Sequence, residues 1–571
     1  MRWKLFSRVL KTGQETPPWV PPFKKTVYAL SFLALFFIII QSGLRWQLPD
    51  FLTIFIIILD YIVFVSYLAD AGLNFYFTFP KRLYVRQYWL DILVLIPLIL
   101  TITAPQAGIG FIIIRHIVIL IQAFTRTRKF SNLLRNVRLN TAQIVALSFL
   151  ATIILGTVLL TFPSATTDGR GTLFIDALFT ATSATCVTGL IVQDTPMYFT
   201  TFGQLIILTL IQLGGLGIMM YSAFFALVFG KFTLGQKQMV QEMMDEEKNV
   251  LTMITYIFKM TVAIELVGAL LLFSRWIFQF NHFGKTVYLS VFHSISAFCN
   301  AGFSLFSNSL ENYASDPMVN SVIMILIGLG GIGFIVIYEV THRLRNKRSK
   351  LSTHTKLVLA VSAVLIISAF LLFFFIEFDG ALFDLPLMGK LWAALFQSVT
   401  PRTAGFNTIP IVSCSAITIT VVLFLMFIGA SPGSTGGGVK TSTFGILLLS
   451  LRGIFTGKDD IQVFNRTILN SIIYKAIAVV VASFLLVFTI FLMLLAVENK
   501  PFLPLLFETI SAFGTVGLSM GITYDLTPAG KLLIILLMYA GRIGPLTLGF
   551  ALMKSARRDR VRFPEAKVLI G

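Results

Sequence analysis

Four short stretches carry residues that could handle a cation with main chain alone. Each ends in a glycine behind two uncharged residues: Val187-Thr188-Gly189, Asn300-Ala301-Gly302, Thr403-Ala404-Gly405 and Thr515-Val516-Gly517. With no acid among them, a cation held there is held by peptide carbonyls, which replace an ion's hydration shell where a turn of small residues faces a pore. The competing reading is that the glycines only let helices pack closely within a membrane. Packing alone does not call for the short apolar segment that precedes each glycine.

These stretches need elements to position them. Aligned on the glycine they read SATCVTG (Ser183 to Gly189), SAFCNAG (Ser296 to Gly302), VTPRTAG (Val399 to Gly405) and SAFGTVG (Ser511 to Gly517), with Phe179, Phe292, Leu395 and Phe507 ten residues before each glycine. A unit of roughly a hundred residues recurring four times implies fourfold pseudo-symmetry. The spacing predicts, in each unit, a long apolar helix, an outer loop, a short segment ending at the glycine turn, and a second long apolar helix. A dozen helical residues span about 18 Å, too little for a hydrocarbon core of about 30 Å, so the short segment is re-entrant. Non-helical backbone at that depth is tolerated only where protein buries it or it lines a watery cavity. The negative ends of four short helices facing one point would favour a cation there.

The chain has 571 residues, 56% of them apolar and 12% charged, with 55 Phe and a mean hydropathy of +0.86. The expectation is an all-α polytopic membrane protein with four pore repeats, 141–230, 250–345, 355–455 and 470–556, inside a domain at 139–571. That makes eight spanning and four re-entrant helices, preceded by four extra helices within 26–138 and a cytosolic leader at 1–25. A net charge of +19 would suggest nucleic acid in a soluble protein. Here Lys and Arg cluster beside apolar runs, so the positive-inside rule accounts for them and places both termini and all inter-repeat links in the cytosol. The three cysteines, Cys186, Cys299 and Cys414, make no disulfide framework. A polytopic membrane enzyme lacks support, since no His, Cys or carboxylate cluster has metal or acid–base spacing.

One second helix is interrupted. GASPGSTGGGVKTSTFG, from Gly429 to Gly445, places Gly429, Ser431, Pro432, Gly433, Gly436, Gly437 and Gly438 inside an apolar span. Its glycines and proline would cost a helix roughly 8 kcal/mol. Thr418 to Ile428 covers only about 16 Å, which puts the break within the membrane. A phosphate-binding loop is the other reading, but Val439 intervenes between Gly438 and Lys440-Thr441 and the Walker spacing fails. In the last span Arg542 stands alone, and an intramembrane charge is a functional candidate by default. At about 10 Å and an effective dielectric of about 20 it would repel a cation by roughly 1.7 kcal/mol; a snorkelling or structurally paired arginine is the alternative.

TCVTGL (185–190), NAGF (300–303), TPRTAGFN (400–407) and GTVGLS (514–519) closely resemble the turns of the Trk/Ktr/HKT potassium transporters. The resemblance covers roughly residues 140–571. It implies potassium uptake across a plasma membrane, with a filter at the four turns of which Gly189 is the potassium-selective type. It also implies an intramembrane gating loop at the glycine-rich stretch, a pore arginine at Arg542, and Arg402 bracing the third turn from behind. By the same resemblance the chain forms a homodimer on a cytosolic ring of nucleotide-binding RCK subunits. Potassium is the transported ion, with sodium possible and no covalent cofactor; the lipid bilayer is a partner and nucleic acid is not. The rival within the family is a sodium-permeable or sodium-coupled member.

The N-terminal segment around Asp60, Asp70 and Asp91 is similar to voltage-sensor domains, whereas FIIIRHIVILIQAFTRTRK (111–129) carries Arg115 alone until Arg126 and Arg128. One charge moved through 100 mV supplies only about 2.3 kcal/mol. The expectation is a vestigial sensor-like bundle in which Arg115 pairs with Asp60; an unrelated four-helix anchor fits equally.

Overall fold

The computed structural model describes residues 141–229, 250–348, 350–457 and 460–552, with scattered residues between 26 and 72. Asp60 and Arg115, the leader and the tail beyond 552 lie outside the described residues, and the expected charge pair with them. Within 26–72, Val27, Leu59 and Val63 are helical and buried. They group with the connections Leu159–Thr172 and Phe199–Gly203, where Thr166 bridges Phe199 and Thr200 bonds the Ser164 carbonyl, as a compact unit of their own. The remainder of the described chain forms the other unit.

In chain order the helices are α1 (Thr141–Leu160), α2 (Phe174–Thr185) and α3 (Thr201–Phe229), then α4 (Val250–Phe280), α5 (Phe283–Phe298), α6 (Pro317–Ile332) and α7 (Phe334–Arg345). They continue as α8 (Thr353–Ile376), α9 (Leu387–Val399), α10 (Ala416–Phe427) and α11 (Thr441–Phe455), then α12 (Asn470–Val497), α13 (Phe502–Gly514), α14 (Pro528–Ile543) and α15 (Pro545–Leu552). Among the described residues α1, α4, α8 and α12 are long and apolar enough to cross a membrane, and the bent pairs α6–α7 and α14–α15 raise the count to six. Their outer faces expose Leu, Ile, Val and Phe, as a lipid-facing helix does.

The helices that follow the turns start from caps that the sequence supplies. Asp316 accepts from the Met318 and Val319 N–H groups ahead of Pro317, and Arg275 of α4 pairs with it at 2.8 Å. Ser415 and Thr527 cap α10 and α14. Glu377 and Glu498, just past α8 and α12, each accept from the N–H and hydroxyl of that cap residue. Such caps satisfy N–H groups that a helix start leaves open.

Three of these helices are not the continuous spans expected, while the fourth is interrupted where its glycines predict. Gly217, Gly333 and Gly544 have φ of 64°, 101° and 90°, a region open to glycine, and each breaks its helix. The bends are 104° between α6 and α7 and 95° between α14 and α15. The glycine-rich stretch separates α10 from α11. In three of these helices the breaking glycine follows a packing glycine by three residues. A Cβ added to Gly214, Gly330 or Gly541 would lie 1.9 Å from the carbonyl oxygen of Thr185, Phe298 or Phe513, at the end of a short helix.

At equivalent places in the short helices α2, α5, α9 and α13 stands a fully buried phenylalanine: Phe179, Phe292, Phe396 and Phe507. In the third unit it is Phe396, nine residues before the glycine, and not Leu395. The alignment on the glycine is therefore off by one residue upstream of that turn.

Candidate functional site

The short helices end just before their glycine, and all four turns share one hydrogen-bond scheme. The N–H of the residue before the glycine donates to the carbonyl of a Ser or Thr: Thr188 to Ser183 at 2.8 Å, Ala301 to Ser296 at 2.8 Å, Val516 to Ser511 at 2.9 Å and Ala404 to Thr400 at 3.0 Å. The same hydroxyls reach over the turn. Ser183 and Ser511 accept from the Gly189 and Gly517 N–H groups at 3.1 Å, while Ser296 and Thr400 donate to the Phe303 and Phe406 carbonyls. Thr400, not Val399, is the counterpart of the three serines, which is the same one-residue slip as at Phe396. The hydroxyls were visible in the aligned stretches, but their role depends on a reach that spacing does not report.

The backbone in the turns alternates in hand. Val187, Asn300, Thr403 and Thr515 have φ of 57°, 60°, 71° and 50°, and the glycines two residues on have 95°, 68°, 79° and 89°. Left-handed backbone costs a side-chain-bearing residue on the order of 1–3 kcal/mol, and such residues gather at functional sites. Alternation of hand turns successive peptide groups toward one side.

The four turns close on one another in sequence order. A Cβ added to Gly189 would lie 2.5 Å from the Ala301 carbonyl oxygen, one on Gly302 2.9 Å from that of Ala404, one on Gly405 2.5 Å from that of Val516, and one on Gly517 2.2 Å from that of Thr188. Each glycine thus abuts the carbonyl before the next glycine, and the last returns to the first. All the residues expected at the site (Val187, Thr188, Gly189, Asn300, Ala301, Gly302, Thr403, Ala404, Gly405, Thr515, Val516 and Gly517) come together in this ring. A buried ion pair, Lys531 to Asp176 at 2.6 Å, joins α14 to α2 beside the same closure.

On one side the ring opens into a cavity of about 280 Å³ lined by the four glycines and by the residues that follow them, with Asp194 and Glu311 on its wall. Asp194 accepts from the Ser307 hydroxyl at 2.6 Å and Glu311 from the Asn407 amide at 2.7 Å. Burial raises the Glu311 carboxyl above its ordinary value of 4.5, against the lowering effect of that amide.

On the other side the glycine-rich stretch lies against the residues two before the glycine. The Gly437 N–H donates to the Thr515 hydroxyl at 2.8 Å, and a Cβ on Gly436 would come within 2.1 Å of Thr403 Oγ1. Ser431 and Thr435 donate backbone N–H groups to the Gly331 and Gly330 carbonyls, Phe334 donates to Gly433, and Gly438 donates to Gly541. The stretch is thereby tied to the units on both sides of its own. Ser431 and Thr441 hydroxyls meet at 2.9 Å, and Lys440 Nζ donates to the Gly436 carbonyl at 2.7 Å.

Arg542 is buried and its guanidinium donates to the Gly214 carbonyl of α3. Lys440, a charge that spacing did not single out, lies within electrostatic reach of it. Arg402 is buried and donates to the Ser362 hydroxyl of α8 at 3.1 Å.

Residues 108–560 match the family model TrkH, described as a cation transport protein. The chain belongs to this family. As a member of it, the chain is a multi-pass membrane cation transporter and not an enzyme. It is 44% identical over 441 residues to Ktr system potassium uptake protein B of Bacillus subtilis (strain 168), a match spanning 76% of this chain and 98% of that relative. It is 39% identical over 444 residues to the potassium/sodium uptake protein NtpJ of Enterococcus hirae, again over 76% and 98%. Among solved structures, the potassium transporter TrkH from Vibrio parahaemolyticus superposes with a TM-score of 0.63 at 19% identity, over 81% of this chain and 95% of that one. That last likeness is one of fold.

Proposed function

We propose that this family member is the membrane subunit of a potassium uptake system. The observation that carries the reading is the ring of Gly189, Gly302, Gly405 and Gly517, each against its neighbour's carbonyl. Such a ring offers an ion main-chain oxygens in place of water. The chain from 139 onward is then a pseudo-fourfold assembly of four M1–P–M2 units, with α2, α5, α9 and α13 as the re-entrant helices. Potassium enters through the cavity, binds at the filter, and leaves past the glycine-rich stretch and Arg542.

Gly429, Ser431, Pro432, Gly433, Gly436, Gly437 and Gly438 act as the gating loop in this reading, and Arg542 as an electrostatic barrier. Support comes from the position of that loop on the side of the ring away from the cavity. The hydrogen bond that Arg542 donates to the Gly214 carbonyl supports a bracing role as well. The protein sits in the plasma membrane with both termini cytosolic, as a homodimer regulated by an RCK-type nucleotide-binding ring. In this reading residues 1–25 form the leader and 26–138 an additional four-helix bundle, the family match beginning inside that bundle at residue 108. A sodium-permeable or sodium-coupled transporter is the second reading, favoured by the likeness to the Enterococcus potassium/sodium uptake protein.

The test is flux into liposomes holding the purified chain, with potassium and sodium in competition, repeated with Gly189→Ser. Potassium flux that turns sodium-permeable in the variant is the expected result. Equal sodium and potassium flux in the unaltered protein would select the second reading.

A further inference from the structure

The position after Phe179, Phe292, Phe396 and Phe507 is polar and buried in all four short helices: Thr180, His293, Gln397 and Glu508, exposed by 2%, 0%, 0% and 1%. Only two of the four hold the chain that leaves the turn, and they do so alike. His293 Nε2 accepts from the Leu305 N–H at 3.3 Å and meets the Ser304 hydroxyl at 3.1 Å. Glu508 Oε1 accepts from the Met520 N–H at 3.2 Å and from the Ser519 hydroxyl. Ser304 and Ser519 both stand two residues after the glycine, and Leu305 and Met520 three after.

The imidazole suits the task in one tautomer. Its Nδ1 lies 2.8 Å from the Leu289 carbonyl, which can only accept. The ring proton is assigned to Nδ1 by that network, leaving Nε2 as the acceptor. Thr180 Oγ1 and both polar atoms of Gln397 find no hydrogen-bond partner among the described residues. Since the ring runs first to second to third to fourth turn, the two braced turns are not neighbours; they face each other.

We propose that His293 and Glu508 are specificity-positioning residues that fix the separation of the second and fourth turns, giving a fourfold-like ring a twofold support. This rests on the ring being the ion filter. Two opposite turns tied to the helices behind them resist closing on a smaller ion, whereas the first and third turns lack this tie.

The experiment is potassium–sodium competition in liposomes holding the full chain, with the transporter amount measured in parallel. Glu508→Leu and His293→Phe keep the volume and remove the acceptor. Each lowers the potassium-to-sodium preference by about tenfold, the factor a lost hydrogen bond of roughly 1.4 kcal/mol carries. Ser519→Ala and Ser304→Ala remove the hydroxyl partner and lower the preference by about threefold, as expected for one neutral hydrogen bond. Glu508→Gln keeps an acceptor oxygen and restores most of the preference. Thr180→Val and Gln397→Leu leave it unchanged. Should a brace variant fail to reach the bilayer, the serine variants decide the matter, because they leave the buried shape intact.

Unchanged preference in all four variants, with only flux or amount reduced, overturns the proposal, as does an equal shift in Gln397→Leu. Gly517→Ser in the same assay separates the two layers of argument. A shift there without a shift in the brace variants rejects the braces alone; no shift there rejects the filter.

Discussion

The two sides of the glycine ring are built on different plans. In the ring itself the four units repeat a left-handed residue two before the glycine, a Ser or Thr that receives the turn's N–H, and the contact with the neighbouring carbonyl. On the side away from the cavity no such repetition holds. Two of the four helices that follow the turns bend sharply at one glycine into a second helix, α3 kinks at Gly217, and the third is opened by a stretch threaded between its neighbours. Under the proposed function the difference has a reason: ion contact calls for equivalent oxygens around an axis, so a filter repeats, whereas a blocking element needs only one copy.

The largest effects test the platform that both sides share. Gly541→Ala places a methyl 1.9 Å from the Phe513 carbonyl oxygen, where backbone faces backbone and neither can yield. Overpacking of this kind costs about 1–3 kcal/mol or more. The expected outcome is a sharp fall in membrane-extracted protein and in its unfolding temperature. Gly328→Ala, with nothing within 4 Å, leaves both unchanged; an equal fall in the two would show that these glycines matter for helix propensity and not for packing.

Next come differences inside the ring. An added Cβ meets the neighbouring carbonyl at 2.2 Å from Gly517 and at 2.9 Å from Gly302. Gly517→Ser is therefore expected to degrade potassium preference more than Gly302→Ser in competition flux. The reverse order would mean that the ring relaxes as a whole and that its four contacts are not independent.

The smallest effect lies beneath. Gly436→Ala pushes against Thr403 Oγ1 at 2.1 Å and against the Cβ atoms of Ala430 and Thr403 at 2.7 and 2.8 Å, so the stretch itself must shift. The substitution is expected to loosen the glycine-rich stretch and raise flux severalfold at saturating potassium while leaving ion preference in place. A changed preference with unchanged flux would assign the stretch to the ring and erase the contrast between the two sides.

Much of this was legible in the chain because a glycine turn in a membrane has few other uses. The four turns and the break at Gly429 to Gly438 declare themselves through composition and spacing. The one-residue slip in the third unit was not legible, since counting back from Gly405 reaches Leu395 and Val399, whereas the packing and hydrogen bonds select Phe396 and Thr400. The third turn, with Pro401 in it, spends one residue fewer between helix and ring. In GGLG (214–217), GGIG (330–333) and GRIG (541–544) the first glycine packs and the last breaks the helix, a division set by φ and not by residue type. Glu508 and His293 carry no signal in spacing, because each meets its serine beyond the glycine only when the fold brings that serine back to it.

The ring's last contact, Gly517 against Thr188, and the buried pair of Lys531 with Asp176 join residues far apart in the chain, the pair by 355 positions. At synthesis rates of about 5–20 residues per second, roughly 20–70 seconds separate the emergence of the two partners from the ribosome. Throughout that interval the first turn stands in the bilayer without the neighbour that completes it. A nascent chain interrupted before its fourth unit holds an open arc, so the ring closes only once that unit has been made.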